Sequence, residues 1–374
     1  PSSPPRPPHL GTLSPVARPQ PVVAPPMRPQ SALMCHRHAP ARQSRARTGA
    51  RRPCRPRRLA PPPRALGGFL RTKDTALARL EAAAAQEEED EEVMAPRRVP
   101  LVAGNWKCNP PTLAEATALA SLVAANARAD ASADPERRVE ALVVPPAPFL
   151  GAVAAALEGS GVKLGVQDVH WEPKGAFTGA VSAAMAASAG CEYALAGHSE
   201  RRAVFGDSDE DVCRKVRAIL DAGMRPVLCV GETREQYERG LVKEVCGEQL
   251  RGALEGVSAE EVAESLVVAY EPVWAIGTGL TATPAIAQAV HAYVRSWLGE
   301  AYGDEAAGKV RIQYGGSVTP ESVDELMACP DIDGCLVGGA SLVADKFSRI
   351  GNFRPAPASA PRKLWAAEGV PCKC

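Results

Sequence analysis

His198 and Glu271 are the residues of this 374-residue chain best suited to moving a proton on carbon. Each follows directly on a short apolar run, His198 in Gly197-His198-Ser199-Glu200-Arg201-Arg202 and Glu271 in Tyr270-Glu271-Pro272-Val273-Trp274. Taking a proton from carbon next to a carbonyl requires a carboxylate at that carbon and a donor at the oxygen where negative charge gathers. A glutamate and a histidine supply those two groups. Ser199 to Val204 is expected to form a helical turn that opens on His198, whose positive end disfavours the imidazolium and keeps the ring a neutral donor. Two glycine-rich stretches, Gly315-Gly316-Ser317 and Gly338-Gly339, let backbone amides approach an anion unobstructed. Lys107, in Gly104-Asn105-Trp106-Lys107, adds a fixed positive charge, so the set calls for no metal and no cofactor. Singly, each feature has an ordinary structural reading: a hydrogen-bonded histidine, a helix-start cap, a tight turn. Their weight comes from position.

That position is set by a repeating pattern between Val99 and Ile350, where short β-branched runs alternate with longer segments of helical period. Strands are expected over Pro100–Trp106, Val139–Val144, Val162–Gln167, Tyr193–Gly197, Arg225–Val230, Ser265–Tyr270, Val310–Tyr314 and Asp333–Val337. Helices are expected over Leu113–Ala127, Asp209–Ala222, Thr233–Leu254, Pro284–Leu298 and Pro320–Met327, with Thr283-Pro284 and Thr319-Pro320 each reading as an N-cap followed by a first-turn proline. Eight βα units in about 250 residues predict an α/β protein closed as a (β/α)8 barrel rather than an open doubly wound sheet. In such a barrel the carboxyl ends of the strands form the active-site rim, and the glycine pairs after strands seven and eight fall where barrels hold phosphate. All five features then share that rim. Pro272 to Gly279, rigid first and small at its tip, is suited to a hinged lid that excludes water.

The ends have a different character. Basic and acidic residues, 43 of each, cancel over the whole chain, yet residues 1–73 hold fifteen Arg and Lys with no Asp or Glu. Seventeen of the 35 prolines fall in the first 65 residues, and an acidic block runs from Glu87 to Glu92. Residues 1–93 are therefore expected to form a disordered leader and acidic linker, 94–351 the catalytic domain and 352–374 a flexible tail. The Arg-rich, acid-free leader resembles a transit peptide, which would direct the enzyme to the plastid stroma. Met94 as the true start would instead make it cytoplasmic. The basic stretch lacks the interleaved aromatics of a nucleic-acid binder, and no run approaches the roughly eighteen apolar residues of a membrane helix. Eleven scattered cysteines show no metal or redox spacing, which fits a soluble protein of a reducing compartment.

Taken together, Asn105-Trp106-Lys107, Gly-His-Ser-Glu-Arg-Arg from Gly197, Tyr-Glu-Pro-Val-Trp-Ala-Ile-Gly-Thr-Gly from Tyr270, Tyr-Gly-Gly-Ser-Val from Tyr314 and Leu-Val-Gly-Gly-Ala-Ser-Leu from Leu336 resemble the triosephosphate isomerases over about residues 99 to 350. The resemblance implies a TIM barrel that interconverts dihydroxyacetone phosphate and glyceraldehyde 3-phosphate. It further implies that Asn105 and Lys107 contact the substrate, that Glu200 supports Lys107, that His198 polarises the carbonyl and that Glu271 shuttles the proton. Gly277, Ser317, Gly338 and Gly339 would offer amides to the phosphate, and Cys229 and Glu232 would lie beside the site. That family is itself the known instance of a neutral histidine electrophile beside a glutamate base. Gly-Ala-Phe-Thr-Gly, at residues 175–179, resembles the family's dimerisation loop and implies a homodimer in which Thr178 enters the partner's site.

Three positions depart from the family's usual residues. Ala180 stands where a Glu usually reaches an arginine of the other subunit, matched here by Arg201; Leu280 replaces a common Lys at the lid's far hinge; Cys335 replaces a common Phe. With Ala180 unable to pair, the Arg201 charge is expected to find water or another acid, the dimer to be weaker or wetter, and Ala180→Glu to strengthen it. Two rival functions fit the same fold. A class I aldolase needs a Schiff-base lysine inside the barrel, whereas Lys163 and Lys309 fall at strand beginnings. A non-catalytic scaffold has no use for a complete set of base, electrophile and lid.

Overall fold

A computed structural model of the chain describes residues 98–134, 136, 138–276 and 282–354. The expected leader, the far part of the lid with Gly277 and Leu280, and the tail beyond Arg354 lie outside the described residues.

Eight parallel strands close into a barrel in sequence order: β1 (Leu101–Asn105), β2 (Glu140–Val144), β3 (Lys163–Val166), β4 (Tyr193–Ala196), β5 (Arg225–Val230), β6 (Val267–Tyr270), β7 (Arg311–Tyr314) and β8 (Gly334–Val337), with β8 pairing back onto β1. The (β/α)8 expectation is met. Successive strand residues point to opposite faces, and the packing follows that alternation. Leu101 and Ala103, Leu142 and Val144, Val227 and Cys229 fill the interior, while Val102, Val143, Leu228 and Val230 pack outward beneath the helices. Both faces are thus apolar, which is why the strands read as continuous hydrophobic runs. The interior is also closed at the end where strands begin. Tyr193 projects there from the start of β4, donates to Glu140 and accepts from Arg311 at 2.8 Å and Arg225 at 3.1 Å.

Helix boundaries follow side-chain chemistry. Thr112 with Glu115, Ser208 with Asp211, Thr233 with Gln236 and Ser258 with Glu261 each form a reciprocal capping box, which satisfies amides a helix start leaves unpaired. Thr283 caps the Pro284–Tyr302 helix as expected. Two expectations differ from the structure. The single helix expected over Thr233–Leu254 is broken into Arg234–Glu238 and Val242–Ala253, because Gly240 adopts the left-handed conformation at φ 73°. The helix expected from Pro320 begins only at Val323, since the Ser322 hydroxyl bonds back to the Thr319 amide at 3.0 Å and holds 319–322 in a turn. At the other end, the fold outlasts the boundary expected at residue 351. Phe353 joins the outer core, and the Arg354 amide donates to Asp324 at 2.7 Å.

One buried group makes stability depend on pH. His291 is fully buried between Tyr270 and Tyr314 and bonds the Asp331 carbonyl through Nδ1 at 3.1 Å. Burial pushes its pKa down from 6.5 to about 4. The unfolded chain binds this proton below 6.5 and the folded chain only near 4, so the stabilising effect is complete above 6.5 and declines as pH falls towards 4. The loss amounts to about 2 kcal/mol by pH 5. Urea midpoints at pH 7 and pH 5 are expected to show this loss in the wild type and a smaller one in His291→Gln, which keeps a donor but does not titrate. An equal loss in both would assign the effect to other groups.

Candidate active site

The rim site starts with the turn after β4. Gly197 sits at φ 71°, and a side chain there would come within 2.8 Å of Arg202 and 3.0 Å of Val212. The chain then turns into the Ser199–Phe205 helix with His198 as its N-cap. His198 Nδ1 accepts the Glu200 amide at 3.2 Å, so that nitrogen keeps its lone pair and the ring donates from Nε2. Nε2 lies 2.9 Å from Glu271 Oε1, and the other carboxylate oxygen accepts the Ser199 amide at 2.9 Å. Histidine and glutamate are 5% and 2% exposed. A carboxylate and a ring N–H thus meet in a site nearly closed to water.

The two groups tune each other. Burial weighs against a charged carboxylate, but His198, the Ser199 amide and Lys107 outweigh it and hold the Glu271 pKa below its ordinary value. Burial likewise weighs against the imidazolium, yet the adjoining Glu271 charge outweighs it, and the His198 pKa is raised. The helix start acts in the opposite sense to that charge, because a proton on Nδ1 would forfeit the Glu200 amide bond. The neutral ring expected from the helix start therefore requires that Glu271 give up its contact or its charge.

Lys107 is placed by backbone strain. Its φ of 53° is the one positive value among described non-glycine residues. Its amide donates to Asn105 Oδ1 at 3.0 Å, and its carbonyl accepts Gln167 Nε2 at 2.8 Å. Nζ is thereby carried to Glu200 Oε1 at 2.5 Å. Across the rim Gly315, Gly316, Ser317, Gly338 and Gly339 line the same cavity, of about 470 Å³, as Asn105, Lys107, His198 and Glu271. Gly315 is required sterically, since a methyl there would sit 2.9 Å from Glu271 Cγ and 3.1 Å from the Tyr270 carbonyl. Gly339 opens a short 3-10 turn, and the space at its missing side chain is open. A buried base, a donor, a cation and side-chain-free amides are the requirements for enolising a small phosphorylated carbonyl compound.

Residues 100–354 match the family model described as triosephosphate isomerase. The chain is 50% identical over 258 residues to the triosephosphate isomerase of Roseiflexus sp. (strain RS-1), covering 69% of this chain and 98% of that one. It is 51% identical over 257 residues to that of Chloroflexus aurantiacus, covering 69% and 100%, and 50% identical over 253 residues to that of Carboxydothermus hydrogenoformans, covering 68% and 98%. The chain belongs to the triosephosphate isomerase family. It is an isomerase, and the triosephosphate isomerase reaction is the interconversion of dihydroxyacetone phosphate and glyceraldehyde 3-phosphate, a step of glycolysis.

Of the site residues expected from sequence, the triosephosphate isomerase barrel brings together Asn105, Lys107, His198, Glu271, Ser317, Gly338 and Gly339 around one cavity, with Glu200 bonded to Lys107. Gly277 lies outside the described residues. Thr178 is not brought to this cavity and sits in an exposed run, 172–180. Cys229 is buried in the interior, where burial and then the Glu271 charge push its thiol well above the ordinary value. Glu232 is fully buried and accepts Trp274 Nε1 at 2.7 Å and Tyr270 Oη at 3.0 Å, which ties the segment after β6 to the end of β5. Two residues were missed. Gln167 directly follows β3, so the strand-end rule pointed to it, whereas Lys346, in the Ala344–Gly351 helix, reaches the outer cavity with no local signal.

Of the two outcomes expected for Arg201, water or another acid, the structure shows the second: Asp207 lies 3.1 Å away and Asp168 3.3 Å away, both in the same chain, which removes the ground for a stronger dimer in Ala180→Glu. The buried Lys215 bridges the two acids, at 2.7 Å from Asp168 and in contact with Asp207. Burial raises the Asp168 pKa, whereas at Asp207 the bonds from Arg201 and Lys215 outweigh burial and lower it. Charges in this network meet opposite charges on several sides, so Ala180 leaves no cation stranded.

The tight fit at Gly315 provides a test. Gly315→Ala is expected to push the Glu271 side chain out of line and lower turnover roughly 10-fold or more, because misplacement of about 1 Å costs up to about 10²-fold. Near-normal steady-state turnover in a folded variant would show that the reaction tolerates displacement of Glu271.

Proposed function

We propose that Glu271 is the base of the isomerisation, taking a proton from the carbon beside the carbonyl and returning it to the neighbouring carbon. His198 donates from Nε2 to the oxygens on which the enediolate charge develops; Nε2 gives its proton to the former carbonyl oxygen and takes the proton of the other oxygen, so that carbonyl and hydroxyl exchange places. For this, Nε2–H must exchange Glu271 Oε1 for the substrate oxygen, which frees the carboxylate to face carbon. Lys107 and Asn105 hold the substrate, Glu200 positions the lysine, and the amides of Ser317, Gly338, Gly339 and Gly277 take the phosphate. The observation that carries this reading is the 2.9 Å contact between His198 Nε2 and Glu271, with the His198 Nδ1 already engaged by a helix amide. An aldolase reading finds no support in the interior, where Leu101, Leu142, Leu195 and Leu336 stand. Lys163 and Lys309 instead pair with Glu192 and Glu305.

Residues 1–93 fall outside the family match, and deleting them is expected to leave isomerase activity unchanged. The leader's composition supports either plastid import or a cytoplasmic start at Met94, and the N-terminal residue of the mature protein distinguishes the two. The proposed assembly is a homodimer in which the loop carrying Thr178 enters the partner's site. Its nine consecutive exposed residues, Phe177 among them at 43%, support a covered face.

Glu271→Gln is expected to lower kcat by about 10²–10⁴-fold with the fold intact. Lys107→Ala should raise KM as well as lower kcat, because its charge acts on bound substrate. Steady-state kinetics separate the two patterns, and near-normal turnover in the glutamine variant would reject the assignment of the base. For the dimer, Ala180→Glu places a third carboxylate near Asp168 and Asp207 and is expected to leave association unchanged or weaker. Sedimentation over a dilution series checks this; a tighter dimer would mean that Arg201 still has an unmet demand.

A further inference from the structure

Gln249 lies in the middle of the Val242–Ala253 helix, away from the catalytic cavity, yet its side-chain amide makes two bonds to a single residue of the rim. Oε1 accepts the Gly231 amide at 2.8 Å, and Nε2 donates to the Gly231 carbonyl at 3.2 Å. Gly231 has just left β5 and has no strand partner for these groups, which a peptide removed from water needs. A primary amide offers the same donor and acceptor as a neighbouring strand. Gln249 therefore extends the sheet's bonding by one residue.

What rests on Gly231 is the base. A side chain at this position would collide with the carbonyl oxygen of Glu271, so the two backbones are in direct contact. The same short stretch holds the catalytic segment at three further points: Val230 accepts the Glu271 amide at 2.8 Å, the Glu232 carbonyl accepts the Val273 amide at 3.2 Å, and the Glu232 side chain takes Tyr270 and Trp274. We propose that Gln249 is a positioning residue for the isomerase reaction, fixing the height of Gly231 and through it the main chain of Glu271 and the root of the lid. This rests on the reading of Glu271 as base, which Glu271→Gln tests separately.

Gln249→Leu removes both bonds at similar volume, and Gln249→Glu keeps an acceptor for the amide but loses the donor to the carbonyl. A control exists elsewhere in the fold. Gln288 makes a comparable two-bond clamp on Asp331, before β8 and far from the rim, with Nε2 at 2.6 Å from Oδ2 and Oε1 at 3.1 Å from the amide. In the full chain, Gln249→Leu is expected to lower kcat about tenfold while KM stays within about twofold. The primary isotope effect on kcat should rise with substrate deuterated at the carbon that loses its proton. Gln249→Glu should fall between this variant and wild type. Gln288→Leu should lose thermal stability with kcat and isotope effect unchanged. The proposal is overturned if Gln249→Leu behaves like Gln288→Leu. Should the leucine variant not fold, the glutamate variant decides: reduced kcat with a raised isotope effect supports the role, and wild-type values for both overturn it.

Discussion

A carboxylate removed from water must be met by donors, and the site around Glu271 is arranged to meet that demand. One oxygen takes the Ser199 amide, the other faces His198 Nε2, and Lys107 adds charge from across the rim. Any one of these alone would leave a buried anion poorly compensated. The demand reaches outward from there. The Ser199 amide is available because the Ser199–Phe205 helix starts where β4 ends. The His198 tautomer follows from the next amide of that helix, and Lys107 reaches the rim from a left-handed backbone.

Barrel closure makes these meetings possible. β4 and β6 each flank β5, and β1 lies on the far side of the ring, so residues more than 160 positions apart in sequence end at one mouth. Alternating strand residues supply both an apolar filling and an apolar outer coat, which leaves the loops after the strands as the place for polar chemistry. Glycine enters where a side chain would intrude: Gly315 gives Glu271 room, and Gly231 lets the next strand's backbone lie against its own.

This logic sets what was legible in the sequence. Strand runs, helix caps and strand-end motifs are local patterns, and they located β1 to β8 and the cluster of His198, Glu271, Lys107 and the glycines. The kink at Gly240 was less visible, because Arg234–Glu238 and Val242–Ala253 together keep a nearly continuous helical composition and one glycine decides the break. The partners of Arg201 were not legible from the resemblance, since a departure at Ala180 shows a lost acid but not where another acid stands. Asp168 follows β3 and Asp207 follows a different strand's helix, and only folding sets them on either side of Lys215. Gln249 carries no local signal at all. Its amide matters through a backbone to which it is close only in space.

The sealed floor of the barrel has a further consequence. Tyr193, Glu140, Arg225 and Arg311 occupy the end where the strands begin, and Leu101, Leu142, Leu195 and Leu336 fill the interior above them. Among the described residues the catalytic cavity therefore opens only where the strands end. Both isomers arrive and depart there, and each excludes the other while it stays. Because the two isomers occupy one site, the product competes for the free enzyme in either direction of flux, so the net rate is governed by the ratio of the two isomers outside as much as by chemistry within.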